Sequence, residues 1–228
     1  MRSDSEPNDR HDRGIALALL SFTAGSMDAV AFLMLGNVFT SAMSGNTVLL
    51  GVALGQGRMA AASHSIAAFI GYVAGVAGAV VPLAAPARGI ERTLVVETLF
   101  LAAFAGLWAA SGGPAHPPVV YGLIILSAIA MGLQGAVGRS IRVPGIPTVV
   151  FTSTLTAIVA ALAERVLARE RPVVTTLTRR QIETFLVYLA SAALTGFAVF
   201  RWRDGVPFVP LAAVLALVLG LRLRRLKL

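Results

Sequence analysis

The sequence predicts an all-α polytopic membrane protein, and three observations carry that prediction. The 228-residue chain is 57% hydrophobic and 13% charged, where a soluble domain carries about 25% charged residues. Its mean hydropathy is +0.80. Stretches 14–36, 63–85, 93–111, 118–138, 182–200 and 207–223 are apolar over most of the length that a helix needs to cross a hydrocarbon core, roughly 20 residues. The 19 Lys and Arg against 11 Asp and Glu gather in the tails and in short polar breaks, which is how the flanks of membrane spans look. Together these exclude a soluble enzyme and a disordered chain. Nucleic-acid binding is also disfavoured, because the basic residues share no amphipathic element with aromatics.

Taken in order, residues 1–13 (MRSDSEPNDRHDR) read as a disordered cytoplasmic tail, and 14–223 as one transmembrane domain with halves at about 14–111 and 118–223. Residues 224–228 form a basic cytoplasmic tail. The run Ile15–Gly25 has the length of a signal-peptide core, but the apolar pattern continues through Asp28 to Gly36, so a retained span is expected. Pro82, Pro86 and Arg88 end the second span, GGPAHPP at 112–118 is a tight turn, and Arg201, Arg203, Asp204 and Pro207 separate the last two.

Two shorter, more polar segments, 38–54 and 148–162, lie between the spans. If they dip in and return without crossing, both tails share a side holding 16 cations against 3; if they cross, the ratio is 13 to 6. The positive-inside rule favours six crossings with both termini in the cytoplasm, with seven or eight as the alternatives. A faint repeat accompanies this count. Gly25-Ser26-Met27-Asp28-Ala29, then Phe39-Thr40 and Ser44-Gly45-Asn46-Thr47, is echoed by Gly132-Leu133-Gln134-Gly135-Ala136 and the run Phe151 to Thr156. Three crossings per half would make this a 3+3 inverted repeat of the kind found in secondary transporters.

Cysteine is absent, and His11, His64 and His116 have no metal-ligand spacing, so no metal and no cofactor is expected. Asp28 is the sharpest polar signal. A carboxylate midway along a span costs roughly 2.5–3.5 kcal/mol on insertion scales and is functional by default. The alternative is a neutral acid bonded to a neighbouring helix. Thr40, Ser44 and Thr47 would align on one face of a helix. Otherwise Ser44-Gly45-Asn46 breaks the helix, Gly45 supplying freedom and Asn46 or Ser44 capping a new start. Such a start suits an anion or a dipolar solute, whereas the bland reading is small and hydroxyl residues joining two helices.

Thr148, Thr152, Ser153, Thr154 and Thr156 form a second hydroxyl cluster, preceded by Gln134 as Asp28 precedes the first. Gln134 lies near Arg139 and reads as interfacial and structural. Glu97 reads as a neutraliser of Arg88 or Arg92 at the headgroups, and His64 as interfacial. Gly71-x-x-x-Gly75 and Gly132-x-x-Gly135-x-x-Gly138 are small-residue stripes for close packing, and the terminal Arg222, Arg224, Arg225 and Lys227 form a stop that favours anionic lipid.

The first string, Gly25-x-x-Asp28-Ala29 with Phe39-Thr40 and Met43-Ser44-Gly45-Asn46-Thr47, resembles the YoaK-like family of uncharacterised bacterial transmembrane proteins. So do Gln134, Thr148-Val149-Val150 and the Thr152–Thr156 cluster. The resemblance covers nearly the whole chain and implies about six helices in a bacterial membrane, with no reaction or substrate attached. Gly135 stands where the family often has Asn, and Ser153 where Gly is common.

The expected function is that of a small-solute transporter or permease of the bacterial inner membrane, with a titratable intramembrane Asp28. Its path would be lined by Thr40, Ser44, Asn46, Thr47, Gln134, Thr152 and Thr154, with backbone freedom at Gly25 and Gly45. The partners are the lipid bilayer, an unknown small solute or proton, and a second copy of the chain. The alternative is a non-transporting scaffold or partner subunit. An enzyme is disfavoured, since no nucleophile–base set, paired acid or metal site accompanies Asp28.

Overall fold

The computed structural model describes residues 7–85, 88–141 and 151–223, and all regular structure among them is helical. The elements are α1 (Pro7–Met34), α2 (Met43–Gly55), α3 (Met59–Gly78), α4 (Val80–Leu83), α5 (Gly89–Ser111), α6 (Pro117–Ser140), α7 (Phe151–Leu167), α8 (Thr176–Arg201) and α9 (Phe208–Arg222). Helix α1 starts inside the stretch that reads as a tail. Its first residue is a proline, whose missing N–H costs nothing where no helical acceptor exists. Helices α3 and α4 run on as one apolar segment, Met59–Leu83.

Five segments are long and apolar enough to cross a membrane: Asp12–Met34, Met59–Leu83, Gly89–Ser111, Pro117–Ser140 and Thr176–Arg201. They match five of the six expected spans. The sixth, α9, has 15 residues, or about 22 Å of helix, and is thinner than a hydrocarbon core. Helix α2, with 13 residues, reaches only about 20 Å.

The most extensive contacts pair α3 with α6, α1 with α8, and α5 with α6, while α9 packs on both α1 and α5. Helix α2 lies against α3, and α7 against α8. Leu17, Leu20 and Met27 of α1 meet Leu94, Leu101 and Phe104 of α5, Leu123 and Met131 of α6, and Leu217 of α9 in the core. Lipid is as apolar as these side chains, so association depends on close packing rather than on escape from water. The glycines set that closeness. A Cβ on Gly132 would strike the backbone oxygen of Tyr72, and one on Gly75 the backbone oxygen of Ile129. The two glycine stripes therefore pack α3 onto α6, as expected from the sequence.

Candidate functional site

The chain leaves α1 through Gly36 (φ +89°) and Asn37 (φ +60°), both left-handed, a conformation glycine and asparagine accept most readily. The Asn37 side-chain amide closes the helix end by donating to the Phe32 carbonyl at 3.2 Å. Residues 38–42 then run non-helically back alongside α1 before α2 starts at Met43. Six residues separate Asp28 from Met34, so the chain descends about 9 Å to reach it. Segment 35–58 also comes back to the side it left: a Cβ on Gly36 would meet the ring of His64, five residues into α3. The first short segment therefore dips in and returns.

An irregular backbone at that depth must find its hydrogen bonds within the protein. Two side chains provide them. Asp28 Oδ1 accepts from the backbone N–H of Thr40 and of Ser41, each at 2.8 Å, and from the Thr40 hydroxyl at 3.4 Å. Its Oδ2 accepts from the Ser41 hydroxyl at 2.5 Å and from the Tyr188 hydroxyl of α8 at 2.8 Å. Asn46 clamps the residue before: its Oδ1 accepts from Phe39 N–H at 2.9 Å, and its Nδ2 donates to the Phe39 carbonyl at 2.6 Å. Three consecutive amides, of Phe39, Thr40 and Ser41, are thus held by two side chains. Phe39 is fixed further by stacking on Phe32, centroids 5.2 Å apart.

Asp28 is 2% exposed, and Thr40, Ser41 and Asn46 are also buried. All five contacts of the carboxylate come from N–H or O–H donors, an arrangement that satisfies its lone pairs without a cation. Gly25, one turn before Asp28, lets α8 come this near. A Cβ there would fall 2.5 Å from the Tyr188 backbone oxygen and strike Ser191 Oγ.

The other expected residues are placed differently. Thr40 lies in the irregular segment, so it shares no helical face with Ser44 and Thr47, which point out of the bundle. The Thr47 hydroxyl is returned to the Met43 carbonyl at 3.1 Å. The helix break falls before Met43, not at Ser44-Gly45-Asn46, because Asn46 acts from inside α2 on the chain that precedes it. Gly45 serves close packing: a Cβ there would sit 2.8 Å from the Phe39 ring.

Gln134 is fully buried rather than interfacial. Its Nε2 donates to the Leu20 carbonyl of α1 at 2.9 Å, while its Oε1 lacks a partner. Thr152 is exposed on α7 and Thr154 buried, and nothing brings either to Asp28. Thr148 lies outside the described residues. Glu97 is 0% exposed, so it neutralises neither Arg88 nor Arg92. His64 is part-buried, edge-on to Tyr121 with centroids 5.0 Å apart.

Sequence reasoning missed Ser41 and Tyr188. Ser41 was legible beside Thr40 once the segment was taken as extended. Tyr188 carries no local signal.

No group of three His, Cys, Asp or Glu among the described residues could hold a metal ion. Two surface grooves, one of about 420 Å³ between the starts of α1 and α8 and one of about 530 Å³ between α1 and α9, lie away from Asp28.

Comparison with known proteins also points to the membrane. The chain is 28% identical over 218 residues to the UPF0700 transmembrane protein YoaK of Bacillus subtilis (strain 168), covering 93% of this chain and 95% of that protein. No solved structure matches. With its apolar helices and this relative, the chain is a bacterial membrane protein. The model of the family described as protein of unknown function (DUF1275) matches residues 16–221, nearly the whole transmembrane domain, and the chain belongs to that family.

Proposed function

We infer that the protein is a small-solute transporter or permease, held here with its route closed, and that Asp28 is its gating group. The observation that carries this reading is the irregular segment 38–42 inside the bundle, tied by Asp28 both to its own half and, through Tyr188, to the other. Broken backbone at such depth is tolerated where it is buried in protein or lines a cavity, and it recurs at the binding sites of secondary transporters. A change at the Asp28 carboxyl would therefore weaken the hold on the segment and on α8 together.

The packing supports an internal repeat behind this function, which three crossings per half would make an inverted one. Exchanging α1 with α6, α2 with α7, α3 with α8 and α5 with α9 turns the α1–α8 contact into α6–α3. It likewise turns α2–α3 into α7–α8, and α1–α9 into α6–α5. Gly25 beneath the Tyr188 carbonyl then corresponds to Gly132 beneath the Tyr72 carbonyl. Gly135 takes the place of Asp28 in that register, so the first half carries the acid. An enzyme is disfavoured because the groups touching Asp28 are amides and hydroxyls, with no base among them.

A second reading, a non-transporting scaffold, is favoured by one observation: both Asp28 oxygens and both Asn46 polar atoms are satisfied internally. The natural absence of cysteine makes the test direct. Single cysteines at the buried positions Ala24 and Ala31, on either side of Asp28, are probed in sealed vesicles with a membrane-impermeant methanethiosulfonate. Transport expects labelling of Ala31→Cys from one side and Ala24→Cys from the other. Protection of both, in the parent chain and with Asp28→Asn added, would leave the scaffold reading.

A further inference from the structure

Glu97 sits on the face of α5 that is buried with Thr93, Leu94, Leu101 and Phe104. Eight residues separate it from Gly89 and fourteen from Ser111, or about 12 Å and about 21 Å along the axis. It therefore lies well inside the span. Its exposure is 0%, and neither carboxyl oxygen has a hydrogen-bond partner among the described residues. Asp28, nearly as buried, has five donor contacts. The two acids share one chemistry and have opposite surroundings.

Among the described residues, no neighbouring charge resolves Glu97. Thr93, one turn earlier, gives its hydroxyl to the Gly89 carbonyl at 2.8 Å. The elements packed on α5 are α6, α9 and α4. Helix α6 carries Tyr121 and Arg139 towards its opposite ends, and the Tyr121 hydroxyl pairs with Ser63 at 2.5 Å. Helix α9 offers Arg222, which is engaged by Glu91 at 3.2 Å, and α4 has no ionisable residue. Arg88 and Arg92 stand at the start of α5, where its span begins. A carboxylate stripped of water and left without a donor is so unfavourable that the group holds a proton instead.

We propose that Glu97 is a proton-binding site, a neutral carboxylic acid in this packed state that gives up its proton when water reaches it through the packing around α5. The Glu91–Arg222 ion pair ties α5 to α9 at one end of that packing. The ligand is a proton: one carboxyl with no second ligating group suits no metal ion. The site is independent of whether a solute also moves through the bundle.

Infrared difference spectroscopy tests this on the full chain in liposomes, titrated in H₂O and in D₂O. The expected result is the carbonyl band of a neutral carboxylic acid that vanishes at alkaline pH and shifts in D₂O. It should disappear in Glu97→Gln and persist in Asp28→Asn. No such band in the natural chain, a band surviving Glu97→Gln, or one unmoved by D₂O would overturn the proposal.

Should Glu97→Gln fail to fold, dicyclohexylcarbodiimide is applied to the natural chain. This apolar reagent takes the acid proton onto nitrogen, bonds the carboxyl oxygen at its central carbon, and rearranges to a stable acylurea. Tryptic peptide 93–139 contains Glu97 as its sole acidic side chain, and 14–58 contains Asp28 as its sole one. An adduct on 93–139 supports the proposal; an adduct on 14–58 alone, or on neither, refutes it.

Discussion

Replacing Asp28 by alanine removes the acceptor shared by the Thr40 and Ser41 amides, both buried at the end of a chain reversal. Each amide left unpaired away from water costs about 1–3 kcal/mol, so Asp28→Ala should lose about 2–6 kcal/mol before any cavity is counted. Asp28→Asn differs in kind. Its remaining oxygen still serves both amides, and its new NH₂ faces the Ser41 and Tyr188 hydroxyls, which rotate to accept. What it loses is charge assistance, worth about 1–2 kcal/mol. Reversible unfolding in mixed micelles, followed by the fluorescence of buried Trp108, measures both variants on one scale. A cysteine at buried Val38 gives a local readout, labelling faster with Asp28→Ala than with Asp28→Asn. If the two variants unfold together and label alike, Asp28 does not hold the segment and the cage argument fails.

Three further outcomes follow from the same contacts. Asn46→Ala should cost about 1–3 kcal/mol by unpairing the Phe39 backbone on both sides, and the loss should appear as faster amide exchange at Phe39. Tyr188→Phe removes one hydrogen bond to the carboxylate and should cost about 1–2 kcal/mol, seen in the same micelle assay. Gly25→Val forces α8 off α1 and should cost about 1–3 kcal/mol. Combined with Tyr188→Phe it should be less than additive, because both changes break one contact; full additivity would place the clash elsewhere.

The sequence made the architecture and half of the site readable, for definable reasons. Asp28 stands out because an acid inside an apolar run has few structural excuses, and five of the spans follow from the length of such runs. Ser44 and Thr47 misled because helical spacing from Thr40 presumes a helix where the chain is extended; Thr152 misled because it sits on α7, which packs on α8 and not on α1. In an extended segment the successive amides, not side chains three or four apart, need partners, and this brings in Ser41. Tyr188 is unreadable because its meeting with Asp28 depends on which helices neighbour each other, a property of packing across 160 positions. Glu97 was misplaced for a similar reason: five residues from Arg92 looks like a headgroup pairing until the buried face of α5 is known.

The Asp28 cage bears on how the chain is made. Its Thr40 and Ser41 partners are only 12 and 13 positions away, so they emerge from the ribosome almost with the acid and can quiet it as the first hairpin enters the bilayer. The Gln134 bond to Leu20 spans 114 positions and the Tyr188 bond 160; both must wait for later helices. A carboxylate that would hinder membrane integration is therefore shielded by its own hairpin first and locked to the far half last. Until α8 is made, Oδ2 has its bond to Ser41 alone, and the face that Tyr188 later covers stays open.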